Sequence, residues 1–435
     1  MKKRLVTVIS VLLIVIFLTA IFTACKRETS EYVSFTMKMG RKGTFKILQL
    51  TDMHFINSLE DDEKKSVVKD YTYRDEWAQT AVTEIIKQAD PDLIIVTGDC
   101  TFTLDTCLQF TGTNDNYAAF QKAAKFIDSF KIPWAFLFGN HDEEGSLHAR
   151  LKDIDKTKEY LGAYLNSKEI KYCMYTDGPE EINGVGNYII NVVNRDGTTN
   201  MPLVLFDSGS YLRYVDPKDG KAYSAQQSYE YVHADQLDWY EAAINDISRI
   251  ENKKVDSIVF QHIPFTAYQS VINAAVDALG ENWQDTINAK WKYGTDLKLN
   301  TSVGEIIYHG GVCEEPNHEV CCSFVGTWMG MTYDGGHEFE RILKLGSTKY
   351  VFCGHDHRNT FSFTYQGVRL SYGMSIDYSA NGIFDFADNQ TIYDDTDQRG
   401  GTLITLDKNS NVTIEQIPFT RNLYQETLAA TGKKK

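Results

Sequence analysis

Residues 91–100 read PDLIIVTGDC, an unbroken apolar run that ends in a glycine and an aspartate. A short run rich in Ile and Val, bounded by Pro and Gly, predicts a strand buried on both faces. Upstream, YRDEWAQTAVTEIIKQA (73–89) carries helical spacing, and SFTMKMGRKGTFKILQL (34–50) reads as two short strands turned at GRKG, the second running into TDMHF. Downstream, a helix is predicted in YAAFQKAAKFIDSF (117–130), a strand in IPWAFLFGNHDEEG (132–145) and a charged helix in LHARLKDIDKTKEYLGAYL (147–165). This alternation of strand and helix predicts an α/β domain.

From about residue 170 strands dominate: KYCMYTD (171–177), GNYIINVVN (186–194), PLVLFDSG (202–209) and DSIVFQHIPF (256–265), with the helix HADQLDWYEAAINDISRI (233–250) between them. Residues 266–345 are less regular and read as a cap or insertion near the functional face, because long connections in compact domains are commonly functional. Strands return in KYVFCGHD (349–356), FSFTYQG (361–367) and VRLSYG (368–373), followed by a hairpin in 402–419. With no internal repeat and no low-complexity linker, residues 41–425 are expected to form one catalytic domain. Residues 25–40 precede it as a tether and first strand, and 426–435 follow as a loose tail.

The 435 residues are 43% hydrophobic and 24% charged, an ordinary globular composition. A formal net charge of -15 argues against a protein that binds nucleic acid by neutralising phosphates. The N-terminus departs from the average: MKKR, the apolar run 5–24, then Cys25 and the polar KRETSEY. Residues 1–24 have the pattern of a secretory signal or membrane anchor. The FTAC ending at Cys25 resembles a bacterial lipoprotein cleavage box, which implies an extracytoplasmic protein held to the cell membrane by a lipid on Cys25. Seven cysteines remain, an odd number that rules out a fully paired framework; a disulfide within 311–324 is possible but not required.

The informative pattern is where the polar residues fall. Five apolar strands run out into ligand-type side chains: Asp52 and His54, then Asp99, then Asn140 and His141, then His262, then His355 and His357. Open α/β sheets bind ligands beyond the carboxyl ends of their strands, so residues far apart in sequence converge there. A lone Asp or His after a strand is commonly a turn former. Five such endings in one chain are hard to obtain from turn chemistry, and five of the ten histidines sit at them. Imidazole and carboxylate donors without thiolates suit Mn, Fe, Zn or Ni. Leaving out His141, the other seven donors exceed one tetrahedral ion and fit two ions that share a carboxylate.

In order and residue type, DMH, GD, GNHD, QH and GHDH resemble the blocks of the calcineurin-like metallophosphoesterase superfamily over about residues 45–375. The resemblance implies that Asp52, His54, Asp99 and His357 hold one metal and that Asp99, Asn140, His262 and His355 hold the other. It also implies a four-layer α-β-β-α sandwich of two mixed sheets with the dinuclear site at the strand ends. Two departures stand out. Cys100 occupies a position where the family often has an amide, and Phe102 stands where purple acid phosphatases place a tyrosine ligand, so a coloured tyrosinate-iron site is not expected.

Two cations can acidify a bridging water, so that hydroxide attacks phosphorus while His141 protonates the leaving oxygen. Asp142 is a candidate to orient that imidazole or, equally, a turn former. Asn140, His141 and Arg358 are the candidate substrate contacts. Asp356 is expected to point away from the metals, and Asp207, His233, His309, His318 and His337 carry weaker expectations. The chain thus reads as a phosphoesterase acting on small phosphate esters, monoesters favoured. A phosphodiesterase or a hydrolase of cyclic nucleotides or lipid head groups, and an inactive surface binding protein on the same fold, are the alternatives.

Overall fold

The computed structural model describes residues 28–56, 74–102, 115–145, 151, 153–215, 222–290, 295–311, 320–321, 325–328, 331–334, 337–377 and 399–419. The apolar N-terminal run, Cys25, Cys107, Cys313, Cys322, His318 and the tail 426–435 lie outside them. Among the described residues no helix is long and apolar enough to cross a membrane.

Two mixed sheets face one another. The larger has nine strands: β1 (Phe35–Lys38), β5 (Tyr188–Val193), β6 (Thr199–Leu205), β9 (Ser257–Phe260), β14 (Thr348–Cys353), β16 (Val368–Tyr372), β15 (Ser362–Tyr365), β11 (Gly304–Gly310) and β10 (Leu297–Thr301), in that spatial order. The smaller has five, with β18 (Val412–Pro418) and β17 (Gly400–Asp407) preceding β2 (Thr44–Leu50), β3 (Leu93–Thr97) and β4 (Trp134–Leu137). Two small hairpins, β7 (Tyr211–Val215) with β8 (Ala222–Tyr229) and β12 (Val325–Trp328) with β13 (Met331–Asp334), complete the set. The GRKG turn therefore joins two sheets: β1 pairs in parallel with β5, while β2 pairs with β3 and β17.

Within each sheet the strands β2, β3, β4 and β6, β9, β14, β16 form parallel runs, so their carboxyl ends point the same way. All five residues of β3 are buried, which is why its sequence is apolar without alternation. Apolar residues from both sheets, such as Ile47, Leu48, Leu203, Phe260 and Phe352, share one buried cluster. Helix Arg74–Ala89 contacts β2, β17 and β18, and helix Asn116–Asp128 meets β4 through Phe120 and Phe136. A second cluster packs helices Ala234–Glu251, Ala267–Leu279 and Glu338–Leu345 against the larger sheet. The result is the layered sandwich expected from sequence.

Besides the β7–β8 hairpin, which no expected strand covers, the structure differs from the expected strands in two places. KYCMYTD makes a single bridge, Trp134 to Cys173, instead of a ladder. The reason is local: the Asp128 carboxylate accepts from the Lys171 and Tyr172 amides at 3.0 and 2.8 Å. Residues 266–345 supply β10 and β11, which continue the nine-stranded sheet through β15. β10 is the edge strand and β11 its neighbour; both are half exposed and lack the apolar run that marks β3.

Behind β9 lies a buried carboxyl, Glu338, whose nearest polar partner is the Gln261 amide at 3.3 Å. Burial pushes it up to about 8, the amide only partly offsetting this. Because the folded value lies above the unfolded one, near 4.3, this group's stabilising contribution is complete below about pH 4 and is lost as pH rises through about 8. Glu338→Gln should therefore unfold at a progressively higher temperature than the parent chain between pH 5 and pH 9. Parallel melting-temperature curves for the two proteins would contradict this.

Candidate metal centre

The site is assembled from loops that follow parallel strands of both sheets. The chain leaving β2 carries Asp52 and His54, β3 leads to Asp99, and β4 leads to Asn140 and His141. From the larger sheet, β9 leads to His262 and β14 to His355 and His357. Asp52, His54, Asp99 and His357 form one group of potential ligand atoms, and Asp99, His262 and His355 form another, the atoms of each group lying within 4.8 Å of one another. Ligands about 2.0–2.2 Å from a common ion lie within roughly 4.4 Å of each other. The contacts of Asp99 with His54 and His262, at 3.5 and 3.2 Å, and of Asp52 with His357, at 3.4 Å, meet that limit and fit two cations that share Asp99. Asn140 joins the second group: its Oδ1 is 3.1 Å from His262 Nε2.

Close approach of the loops depends on glycine. Gly98 has φ of +84°, and a Cβ there would lie 2.5 Å from the Gly139 amide and 2.7 Å from His262 Nδ1. At Gly139 a Cβ would run into the Asp99 carboxylate. The ligands are themselves strained, since Asp52, His54, Asp99 and His355 have φ of +51°, +49°, +48° and +76°. Such conformations cost on the order of 1–3 kcal/mol each and persist only where the surroundings over-determine them. Here Asp52 N–H donates to Gly98 O and His54 N–H to Asp99 O, locking the first two loops together.

The imidazoles are held from behind. His262 Nδ1 donates to Thr97 O at 2.8 Å, which leaves Nε2 for Asp99, 3.2 Å away. Asp377 does the same for two rings at once: its Oδ1 is 2.9 Å from His54 Nδ1 and its Oδ2 is 3.1 Å from His357 Nδ1. With Nδ1 protonated, both rings present Nε2 forward, His54 3.5 Å from Asp99 and His357 3.4 Å from Asp52. A carboxylate behind a ligating histidine fixes tautomer and raises basicity. Burial would raise the Asp99 carboxyl, but His262 and His141 outweigh it and hold it well below the usual range.

His141 stands beside this centre. Its amide donates to Asp99 Oδ1 at 2.8 Å, and its Nε2 lies 4.0 Å from Asp99 Oδ2. The group that orients its ring is Glu144, 2.8 Å from Nδ1, and not Asp142. Asp142 is occupied in the turn, its oxygens accepting from the Gly139 and Thr101 amides at 2.9 and 3.1 Å. Burial would lower the His141 value, but Glu144 and Asp99 raise it to about 9. Phe102 packs its ring against His54 and His141, with centroids 5.1 and 5.0 Å away.

The remaining candidates lie elsewhere. Arg358 is exposed beside His357, and Asp356 accepts from the Arg358 amide and the Asn359 side chain. Asp207 forms a buried ion pair with Lys158 at 2.8 Å, and Glu143 lies 3.4 Å from the same ammonium. His233 and His337 are N-cap residues, and His309 bonds Asp296 and Thr364. Cys100, Cys173 and Cys353 are free thiols. Asp377 and Glu144 were not singled out from sequence. Asp377 follows β16, the next parallel strand after β14, and that position was its one available signal.

A layered α/β sandwich with a carboxylate shared between two donor groups defines a dinuclear metal-site protein. Residues 45–299 match the calcineurin-like phosphoesterase family profile, and the chain belongs to that family. It is 25% identical over 343 residues to an Arabidopsis thaliana protein named probable inactive purple acid phosphatase 28, covering 78% of this chain and 72% of that one. It is 27% identical over 242 residues to the phosphatase DCR2 of Saccharomyces cerevisiae, covering 53% of this chain and 36% of that one. Among solved structures, a dimetal phosphatase from Danio rerio aligns with a TM-score of 0.39 at 11% identity, covering 86% of this chain and 98% of that one.

Asp99→Asn should remove metal and phosphoesterase activity together, as measured by metal content per chain; two retained metals would contradict the shared position. Asp377→Asn should keep the fold but weaken metal affinity by about 10–100-fold in a chelator competition. Unchanged affinity there would mean that the two rings are oriented by packing alone.

Proposed function

We propose that this chain is a dinuclear metal-dependent phosphoesterase, with phosphomonoesters as its preferred substrates and His141 as the general acid. The observation that carries the reading is the pair of donor groups joined at Asp99, with a protonatable imidazole 4.0 Å from the shared carboxylate. Asp52, His54, Asp99 and His357 would hold one cation, and Asp99, Asn140, His262 and His355 the other. Cations bound there supply Lewis acidity, polarising phosphoryl oxygens and acidifying water.

The chain's own residues do the rest. Glu144 holds His141 Nδ1, so the ring's Nε2 proton faces the centre and can pass to a leaving oxygen. Of the two carboxylates that raise the His141 imidazole, Glu144 contributes more than Asp99. We further read Cys25 as a lipid attachment point that tethers the body outside the cell membrane, on the strength of the apolar run 5–24 and the FTAC box.

Three relatives are named probable inactive purple acid phosphatases, which keeps a non-catalytic binding role in view. All seven metal donors and His141 are present here, which favours catalysis. The test is hydrolysis of p-nitrophenyl phosphate against its bis-ester by manganese-loaded protein, with and without chelator. Chelator-sensitive turnover favouring the monoester is expected, and no turnover of either ester would support the binding role. His141→Ala should keep its metals and lose about 10²–10⁴-fold in rate on an ester with a poor leaving group. An unchanged rate on that ester would remove His141 as the acid.

A further inference from the structure

The β7–β8 hairpin belongs to neither large sheet and begins a few residues after β6, another parallel strand whose end faces the metal centre. At its base Tyr211 pairs with Tyr229 across the ladder, and the rings are stacked with centroids 5.5 Å apart and planes 30° apart. The Tyr229 ring meets the His355 ring edge-on at 4.2 Å. Tyr211 offers its hydroxyl oxygen to Asn140 Nδ2 at 3.1 Å. Both tyrosines are half-buried, so each has a covered part and an accessible part.

The base of this arm is pinned. Glu230 N–H donates to Ser210 O at 2.8 Å, and the buried Asp207 is fixed by Lys158 and by the Val185 and Gly209 amides. Gln236 donates to Asp207 O at 2.7 Å, tying the same turn to helix Ala234–Glu251. A stacked aromatic pair on a fixed base is a preformed surface, and it touches two members of one donor group, Asn140 and His355. Aromatic faces receive flat unsaturated groups through offset or edge-to-face contact.

We propose that Tyr211 and Tyr229 form a platform for the ester group of the substrate and select phosphomonoesters whose alcohol is an aromatic ring. This rests on the phosphomonoesterase reading and names the substrate class of that same site.

The test compares binding of phenylphosphonate and methylphosphonate to the manganese-loaded full chain by calorimetry, which needs no turnover. The parent protein should bind the phenyl compound about five-fold to ten-fold more tightly. Tyr229→Leu should bring the ratio close to one with metal content unchanged, whereas Tyr229→Trp should preserve it, which also guards against a leucine variant that folds poorly. Tyr211→Phe, which keeps the ring and loses the hydroxyl, should retain the preference. Equal affinities in the parent, or a ratio that survives Tyr229→Leu, would overturn the platform while leaving the phosphoesterase reading intact. If neither phosphonate binds and no monoester is hydrolysed, both proposals fall.

Discussion

The Asp99 carboxylate is buried between the strand ends of two sheets and faces three imidazoles, those of His54, His262 and His141, at 3.5, 3.2 and 4.0 Å. A buried charge is tolerable only when it is paired and hydrogen-bonded. Most of the surrounding geometry follows from that requirement. Asp99 sits in a left-handed conformation, and Gly98 and Gly139 admit it only because they have no side chain. The two sheets must also keep a fixed spacing, which Gln49 helps to hold. From β2 of the smaller sheet, its amide donates to Cys353 O at the end of β14 in the larger.

Around this centre a second layer of carboxylates decides what the imidazoles can do. Asp377 serves His54 and His357 with one oxygen each, and Glu144 serves His141. Asp142, held in the turn by two amides and lifted to about 7 by burial and by Asp99, serves the backbone instead. Neighbouring acids in the same GNHDEE stretch therefore have separate tasks. Asp142 shapes the loop, Glu143 neutralises the buried Lys158, and Glu144 orients the ring beside the centre. Lys158 links this loop to Asp207 at the foot of the β7–β8 hairpin, so the His141 loop and the aromatic arm share one buried anchor.

The legible part of this design is the part written as buried parallel strands. β2, β3, β4, β9 and β14 announce themselves by apolar runs, and their ends carry the donors that converge in space. Residues whose roles depend on three-dimensional neighbours were not legible. Glu144 and Asp142 are two residues apart, and only the turn decides which carboxylate meets the imidazole. Asp377 stands beyond a glycine break after β16, where nothing local distinguishes it from a loop aspartate. KYCMYTD has the composition of a strand, yet it makes one bridge, and the Asp128 carboxylate accepts from its Lys171 and Tyr172 amides. β10 and β11 alternate at an exposed edge, and hydropathy alone does not separate them from an irregular insertion.

The two donor groups are chemically unequal. One combines Asp52 and the shared Asp99 with imidazoles that Asp377 backs, so negative charge is concentrated on that side. The other has Asp99 as its sole carboxylate and otherwise neutral donors, His262, His355 and the Asn140 amide. With two cations of equal charge, an anionic phosphoryl group meets less repulsion over the second group than over the first. That is also the side on which Tyr211 and Tyr229 stand, through Asn140 and His355. Charge distribution and aromatic packing thus favour the same direction of approach, on the side where His141, next in sequence to Asn140, also stands.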